Sequence, residues 1–192
     1  VGMYDMSSFG KLRVVGPDSE ALLNRVCGAN MSVPAGKIVY TQFLNSTGGI
    51  EADVTVTRLT ETVYLVVTPA ATRLADETHL RRHAEGYQVV VTDVTATEGV
   101  LAIMGPNARD LLAKVSPNDF SNETNPFGTA QEIELGMGLA RAHRVSYVGE
   151  LGWELYVPSD MAGHAFETLW EAGQDVGRKL CVRRRRDRCS VE

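Results

Sequence analysis

The chain of 192 residues is long enough to bury a real core, as one large domain or as two small, closely packed halves. Hydrophobic residues make up 44% and charged residues 22%, ordinary proportions for a soluble globular protein, and the net charge of −5 argues against a nucleic-acid partner. No apolar run approaches the ~20 residues that a membrane span requires, so no membrane partner is expected.

The first residue is Val1 rather than Met, and structured-looking sequence (MYDMSSFGKLRVVG) follows at once without a signal peptide. A piece of a longer protein is expected. Residues 14–26 (VVGPDSEALLNRV) read as strand, tight Gly-Pro turn and helix, with Asp18 placed as an N-cap whose side chain would take free backbone N–H groups. A hairpin is expected next, with strands over 38–44 and 50–59 around the turn Asn45-Ser46-Thr47-Gly48-Gly49. Residues 63–68 then form a strand leading into a helix over 70–83.

Residues 103–115 (IMGPNARDLLAKV) repeat residues 14–26 in their Gly-Pro-Asp/Asn, their Leu-Leu and their closing basic-Val pair, with Asn107 in the place of Asp18. Asp93-Val94-Thr95 precedes this copy much as Asp5-Met6-Ser7 precedes the first. The turn-rich segment 116–128 reads as a connecting loop. A second hairpin is expected over 144–157, turning at Gly149-Glu150-Leu151-Gly152, so that Val148 faces Trp153 and Tyr147 lies opposite Glu154. A helix over 161–172 then closes at Gly173. Two halves, about 1–88 and 89–177, thus share one order of strand, helix, strands, helix. The fold class is α+β, two pseudo-repeated halves with antiparallel sheets and flanking helices.

Alternation along Asp53-Val54-Thr55-Val56-Thr57 places Asp53 on a polar face with two threonines and the valines on an apolar face. Acids at such positions are usually solvated, and Glu154 alone reads as a surface acid paired with a neighbouring base. Related halves packed face to face leave a cleft, however, in which one carboxylate from each hairpin would converge on one molecule. Glu150, inside the turn, reads as a scaffold acid bonding backbone N–H groups, and Trp153 as core. His79 and His83 have the i, i+4 spacing of a helical metal pair, but Arg81 and Arg82 would repel a cation, so no metal is expected. Cys27, Cys181 and Cys189 are odd in number and lack CxxC spacing, which favours a reducing compartment; a cytoplasmic protein is expected, or one of the mitochondrial matrix if the source is eukaryotic.

Read together, LNSTGGIEADVTVTRL (residues 44–59) and RVSYVGELGWELYVP (residues 144–158) resemble the tetrahydrofolate-binding domain of the aminomethyltransferase family. The glycine-cleavage T-protein is its free-standing member. The resemblance is closer to the carboxy-terminal folate domain of dimethylglycine and sarcosine dehydrogenases. YDMSSFGK (residues 4–11), YTQFLN (40–45) and MGPNARDLL (104–112) add to it, and it runs to about Gly177.

The resemblance implies a substrate, tetrahydrofolate, and roles for particular residues. Asp53 falls on the acid beside the folate nitrogens that receive the one-carbon unit, where partial desolvation would favour proton transfer. Glu154 falls on the carboxylate that holds the pterin, whose ring N–H and amino group one carboxylate can accept as a fork. Tyr147, Leu155, Tyr156, Glu51 and Ala52 fall on positions lining the folate pocket, and Tyr40 is a further candidate. The one-carbon unit would come from a methylated amine. No GxGxxG follows a strand, so FAD is expected only in an upstream flavin domain that passes on an iminium or formaldehyde equivalent.

After Gly177 the likeness weakens. Arg186-Asp187 and Val191-Glu192 fall near family positions, but the basic run Arg183 to Arg186 does not fit, so residues 178–192 read as a divergent tail and the domain as truncated. The alternatives are a free-standing aminomethyltransferase served by a lipoyl-carrier protein and a folate-binding module without catalysis. T-proteins typically have Gly-Tyr-Thr-Gly-Glu-Asp-Gly-Phe-Glu where this chain has Ser-Tyr-Val-Gly-Glu-Leu-Gly-Trp-Glu. The iron–sulfur assembly relatives carry a Lys-Gly-Cys-Tyr-x-Gly-Gln-Glu motif that is absent here.

Overall fold

The structure, a computed structural model, describes residues 1–181. The basic run Arg183 to Arg186, the pairs Arg186-Asp187 and Val191-Glu192, and Cys189 lie outside the described residues. The chain forms β1 (Gly2–Asp5), β2 (Gly10–Val15), α1 (Ser19–Val26), β3 (Ile38–Leu44), β4 (Ile50–Arg58), β5 (Val63–Thr68), α2 (Arg73–His83) and β6 (Val90–Asp93). It continues with β7 (Glu98–Met104), α3 (Ala108–Val115), β8 (Ala130–Leu135), β9 (Gly138–His143), β10 (Gly152–Pro158), α4 (Ala162–Ala172) and β11 (Lys179–Cys181). The α+β expectation holds. No helix among the described residues is long and apolar enough to cross a membrane.

Two compact units result. One is Ser8–Thr95; the other joins Val1–Ser7 to the chain from Ala96 onward. The first holds a five-stranded sheet ordered β3-β4-β5-β2-β6, with every neighbouring pair antiparallel. Leu12, Val14, Phe43, Val54, Val56, Tyr64 and Val66 project from one face onto Leu22, Leu23 and Val26 of α1 and Leu80 of α2. β5 (VYLVVT) is rich in β-branched residues and central, so nearly all of it is buried.

The second unit holds a six-stranded sheet ordered β11-β1-β7-β10-β9-β8, antiparallel except for the β1–β11 pair. Its core side presents Ile103, Trp153, Leu155 and Val157 to Leu111 and Leu112 of α3 and Leu169 of α4. The predicted bounds of β3 and β5 match the structure, whereas α2 starts at Arg73, after a turn closed by Thr72 N–H to Pro69 C=O.

The sequence repeat is a repeat of backbone geometry. Gly16 and Gly105 have φ of 147° and 131°, and the carbonyl of each accepts the N–H three residues on, at Ser19 and Ala108. Asp5 and Asp93 each accept the backbone N–H two residues on, from Ser7 at 2.9 Å and Thr95 at 2.8 Å. Each such segment then bonds to a strand of the other sequence half: Met6 and Ser7 to Val100 of β7, Val94 and Thr95 to Lys11 of β2. The halves of the sequence are therefore not the units of the structure.

The capping expectation is corrected in part. Asp18 and Asn107 do stand at the N-caps, but neither side chain bonds its helix; each has ψ near 10–15° rather than the extended backbone that aims a cap. The Asp18 carboxylate instead accepts the Gln88 N–H at 2.7 Å. Gly173 ends α4 with right-handed backbone (φ −82°).

Candidate functional site

The β3–β4 hairpin forms as expected. Asn45 governs its turn, with Oδ1 accepting the N–H groups of Thr47 and Gly49 at 3.1 and 2.8 Å. The pairing shifts between Phe43 and Leu44, so Glu51 is the extra residue of a bulge, and its carboxylate accepts the Asn45 amide at 2.9 Å. Asp53 lies directly opposite Gln42 on the exposed face, with Tyr40 two residues along β3. The Tyr40 hydroxyl and the Gln42 side-chain amide both donate to Asp53 Oδ1, each at 3.0 Å. The bond to Asp53 pushes the Tyr40 phenol above its ordinary range, with desolvation and the carboxylate charge adding to it. Asp53 itself is exposed on that face. Ala52 turns its side chain into the core with Val54 and Val56.

The second hairpin is not built as expected. β10 is flanked by β7 and β9, and Glu154 lies opposite His143 of β9 and Ala102 of β7, not opposite Tyr147. Residues 144–151 form no strand; they link β9 to β10, with Gly149 at φ 83°. Val148 therefore does not face Trp153. The strand that does pair with β10 reads Gly-Leu-Ala-Arg-Ala-His, a composition of low β-propensity whose place is fixed by packing of Ala140 and Ala142 in the core. Tyr147 is exposed on the linking segment. Glu150 is exposed as well, and the expected bonds from it to backbone N–H groups are not made among the described residues. Trp153 is fully buried, as expected, with its indole N–H on Asn125 Oδ1.

On β10, Trp153, Leu155 and Val157 enter the core, and Glu154 and Tyr156 share the opposite face. The Tyr156 hydroxyl donates to Glu154 Oε2 at 2.9 Å. Burial raises the Glu154 pKa above the usual carboxylate range, and the Tyr156 bond partly opposes it. Burial, then the charge of Glu154, pushes the Tyr156 phenol well above its ordinary range. Glu154 has no cationic partner among the described residues. The Arg141 guanidinium on β9 instead donates to both carboxylate oxygens of Glu98, at 3.0 and 3.1 Å, and from Nε to His143 Nε2 at 3.0 Å. Burial, then the charge of Arg141, holds His143 well below its usual pKa, hence neutral.

Sequence reasoning missed Glu98, Arg141 and His143. The signal available was Arg141-Ala142-His143, two basic side chains at strand spacing separated by a small residue. Of the predicted residues, the structure joins Tyr40 to Asp53 and Tyr156 to Glu154. Ala52 and Leu155 have core side chains, leaving only their main chain to a ligand. His79 stacks on Phe43 with ring centroids 5.6 Å apart, and no group of three or more possible metal ligands exists among the described residues.

The family model described as the GCVT N-terminal domain matches residues 1–192. A 4-methylaminobutanoate oxidase (formaldehyde-forming) from Paenarthrobacter nicotinovorans is 43% identical over 94% of this chain and 22% of its own length. The mitochondrial dimethylglycine dehydrogenase of Rattus norvegicus is 33% identical over 92% of this chain and 21% of its own. The crystal structure of the glycine cleavage system aminomethyltransferase T from Bartonella henselae superposes with a TM-score of 0.79 at 27% identity, covering 93% of this chain and 47% of that one. This chain belongs to the GCVT N-terminal domain family, whose members include aminomethyltransferases and demethylating dehydrogenases. It spans about a fifth of the length of the two curated relatives above.

Proposed function

We propose that this chain is the tetrahydrofolate-binding domain of an amine-demethylating dehydrogenase of the dimethylglycine or sarcosine type, and that it receives a one-carbon unit to give methylenetetrahydrofolate. The observation that carries the reading is Glu154: a half-buried carboxylate of raised pKa, with one oxygen bonded to Tyr156 and no cation paired to it among the described residues. Such a group is costly to leave so, and a neutral heterocycle edge offering two adjacent N–H donors would complete it. The pterin of tetrahydrofolate presents that edge, so the residues fit the ligand.

Asp53 is assigned the proton chemistry. Tyr40 and Gln42 occupy Oδ1, which leaves Oδ2 open. There, with an iminium as donor, it takes the proton released as the first folate nitrogen bonds to the carbon and returns it to the departing amine nitrogen, then takes the proton lost by the second nitrogen at ring closure and passes it to solvent; with formaldehyde the returned proton goes to the hydroxyl that leaves as water. Tyr147, exposed ahead of β10, and Glu51, in the bulge beside Asp53, are assigned as folate contacts, with main-chain groups of Ala52 and Leu155. A flavin domain elsewhere in the protein, holding FAD, would oxidise the methylated amine and pass on an iminium or formaldehyde equivalent. The relative named for forming formaldehyde and the one named for dimethylglycine dehydrogenation support that context.

Calorimetric titration of the chain with tetrahydrofolate tests the reading. Glu154→Ala should weaken binding by about 1.5–3 kcal/mol, the scale of a hydrogen bond to a charged group. No binding by the parent chain, or no effect of the substitution, would remove Glu154 from the site.

A further inference from the structure

We propose that Glu98, Arg141 and His143 are positioning residues for Glu154: they hold Tyr156 against its carboxylate and keep the Arg141 cation off it. The inference rests on the reading of Glu154 as the ligand-holding acid.

The register makes a two-by-two block on one face of the sheet, with Glu154 opposite His143 and Tyr156 opposite Arg141. Along β10, Tyr156 bonds to Glu154; along β9, Arg141 bonds to His143. Across the strands, the His143 ring lies 4.2 Å from the Tyr156 ring at 31°, and the Arg141 guanidinium carbon lies 5.3 Å from the Tyr156 centroid. The phenol is thus in contact with both basic side chains while its hydroxyl points to Glu154.

A free arginine on the face of a half-buried carboxylate would ordinarily pair with it. Here the guanidinium is spent elsewhere, on both Glu98 oxygens and on His143 Nε2. Because that imidazole nitrogen accepts, the ring proton sits on Nδ1 and His143 brings no charge to the carboxylate opposite it. Glu154 is therefore left without a cation among the described residues and open to a neutral ligand rich in donors, where an internal ion pair would have quenched it.

The test is a double-mutant cycle read by titration of the chain with tetrahydrofolate. Glu98→Gln and Arg141→Met should each weaken binding about three- to thirtyfold; the Arg141→Met loss should shrink to about twofold or less in a Tyr156→Phe background, whereas part of the Glu98→Gln loss should persist there and vanish when Arg141→Met is added, because it comes from the released cation. An Arg141→Met loss that is equal in both backgrounds would mark a merely structural role and overturn the inference. So would unchanged affinity in these variants while Glu154→Ala abolishes binding. If Glu154→Ala itself leaves affinity intact, the underlying reading falls and the inference with it. Should Arg141→Met fail to fold, His143→Leu in the same cycle carries the test under the same criteria, since it removes the Arg141 acceptor and the ring contact without leaving Glu98 unpaired.

Discussion

The Tyr156 hydroxyl reaches Oε2 of Glu154 at 2.9 Å from two residues along the same strand, so one acid of the proposed site is oriented by its own strand neighbour. Burial raises the Glu154 pKa above the unfolded value, which fixes the sign of its effect on stability. Below the ordinary glutamate range both states hold the proton and the residue costs nothing. As pH rises from there through the raised folded pKa, the native state binds more protons than the unfolded one and loses stability. Glu154→Gln should accordingly raise the thermal midpoint at pH 7, on the order of 2–4 °C per kcal/mol relieved in a chain of this size, with the gain vanishing near pH 4. Scanning calorimetry at the two pH values checks this, and an equal gain at both would contradict it.

His143 acts in the opposite direction. It is held neutral in the native state, while the unfolded chain takes a proton near the ordinary value of 6.5. Stability is therefore full above about pH 6.5 and declines as pH falls toward the depressed folded pKa. Between pH 7.5 and 5.5 the thermal midpoint of His143→Gln should fall less than that of the parent. Parallel melting curves across that range would count against the assignment.

Asp53 should matter more to turnover than to affinity. In the intact protein, Asp53→Ala should lower kcat by about 10²–10⁴, the usual worth of a placed acid or base, with KM for folate changed little. Tyr40→Phe removes one of the two donors to Oδ1 and should cost about three- to tenfold in kcat. Steady-state kinetics separates the two parameters; a large KM effect with kcat preserved would make Asp53 an anchor instead.

Two glycines should respond differently to alanine. At Gly16 the backbone has φ 147°, and an added Cβ would lie 2.1 Å from the Gln88 carbonyl oxygen. At Gly48 the φ is 81°, but nothing lies within 4 Å. Gly48→Ala should cost about 1–2 kcal/mol from conformation alone, whereas Gly16→Ala adds a backbone clash and should cost clearly more. Urea unfolding gives both values, and comparable losses would refute the close approach.

The first hairpin was legible because its strands are β-branched, its turn holds Asn45 and two glycines, and its pairing is local. The second was misplaced for the converse reason. Tyr147 and Val148 have strand-like side chains but lie in a linker, while Ala140 and Ala142 have poor strand propensity and lie in the sheet, held there by the core. The contacts of Glu154 could not be read from the sequence, because His143 and Arg141 become its neighbours only once β9 and β10 are in register. Family resemblance points to Glu154 as a candidate, since a motif keeps a residue's place without its surroundings. The geometric repeat was visible as Gly-Pro-Asp/Asn, but the exchange of Asp5-Met6-Ser7 and Asp93-Val94-Thr95 between sheets was not, since short flanking segments carry no mark of which sheet they will join.

That exchange has a consequence for the order of events during synthesis. Ser8–Thr95 is one continuous stretch whose sheet is complete once β6 has left the ribosome. β1 emerges earlier yet pairs Gly2 with Met104 on β7 and Met3 with Leu180 on β11. At about 5–20 residues per second it waits several seconds for the first of those partners. During that interval a nascent-chain chaperone would meet a folded Ser8–Thr95 unit with β1 still unpaired.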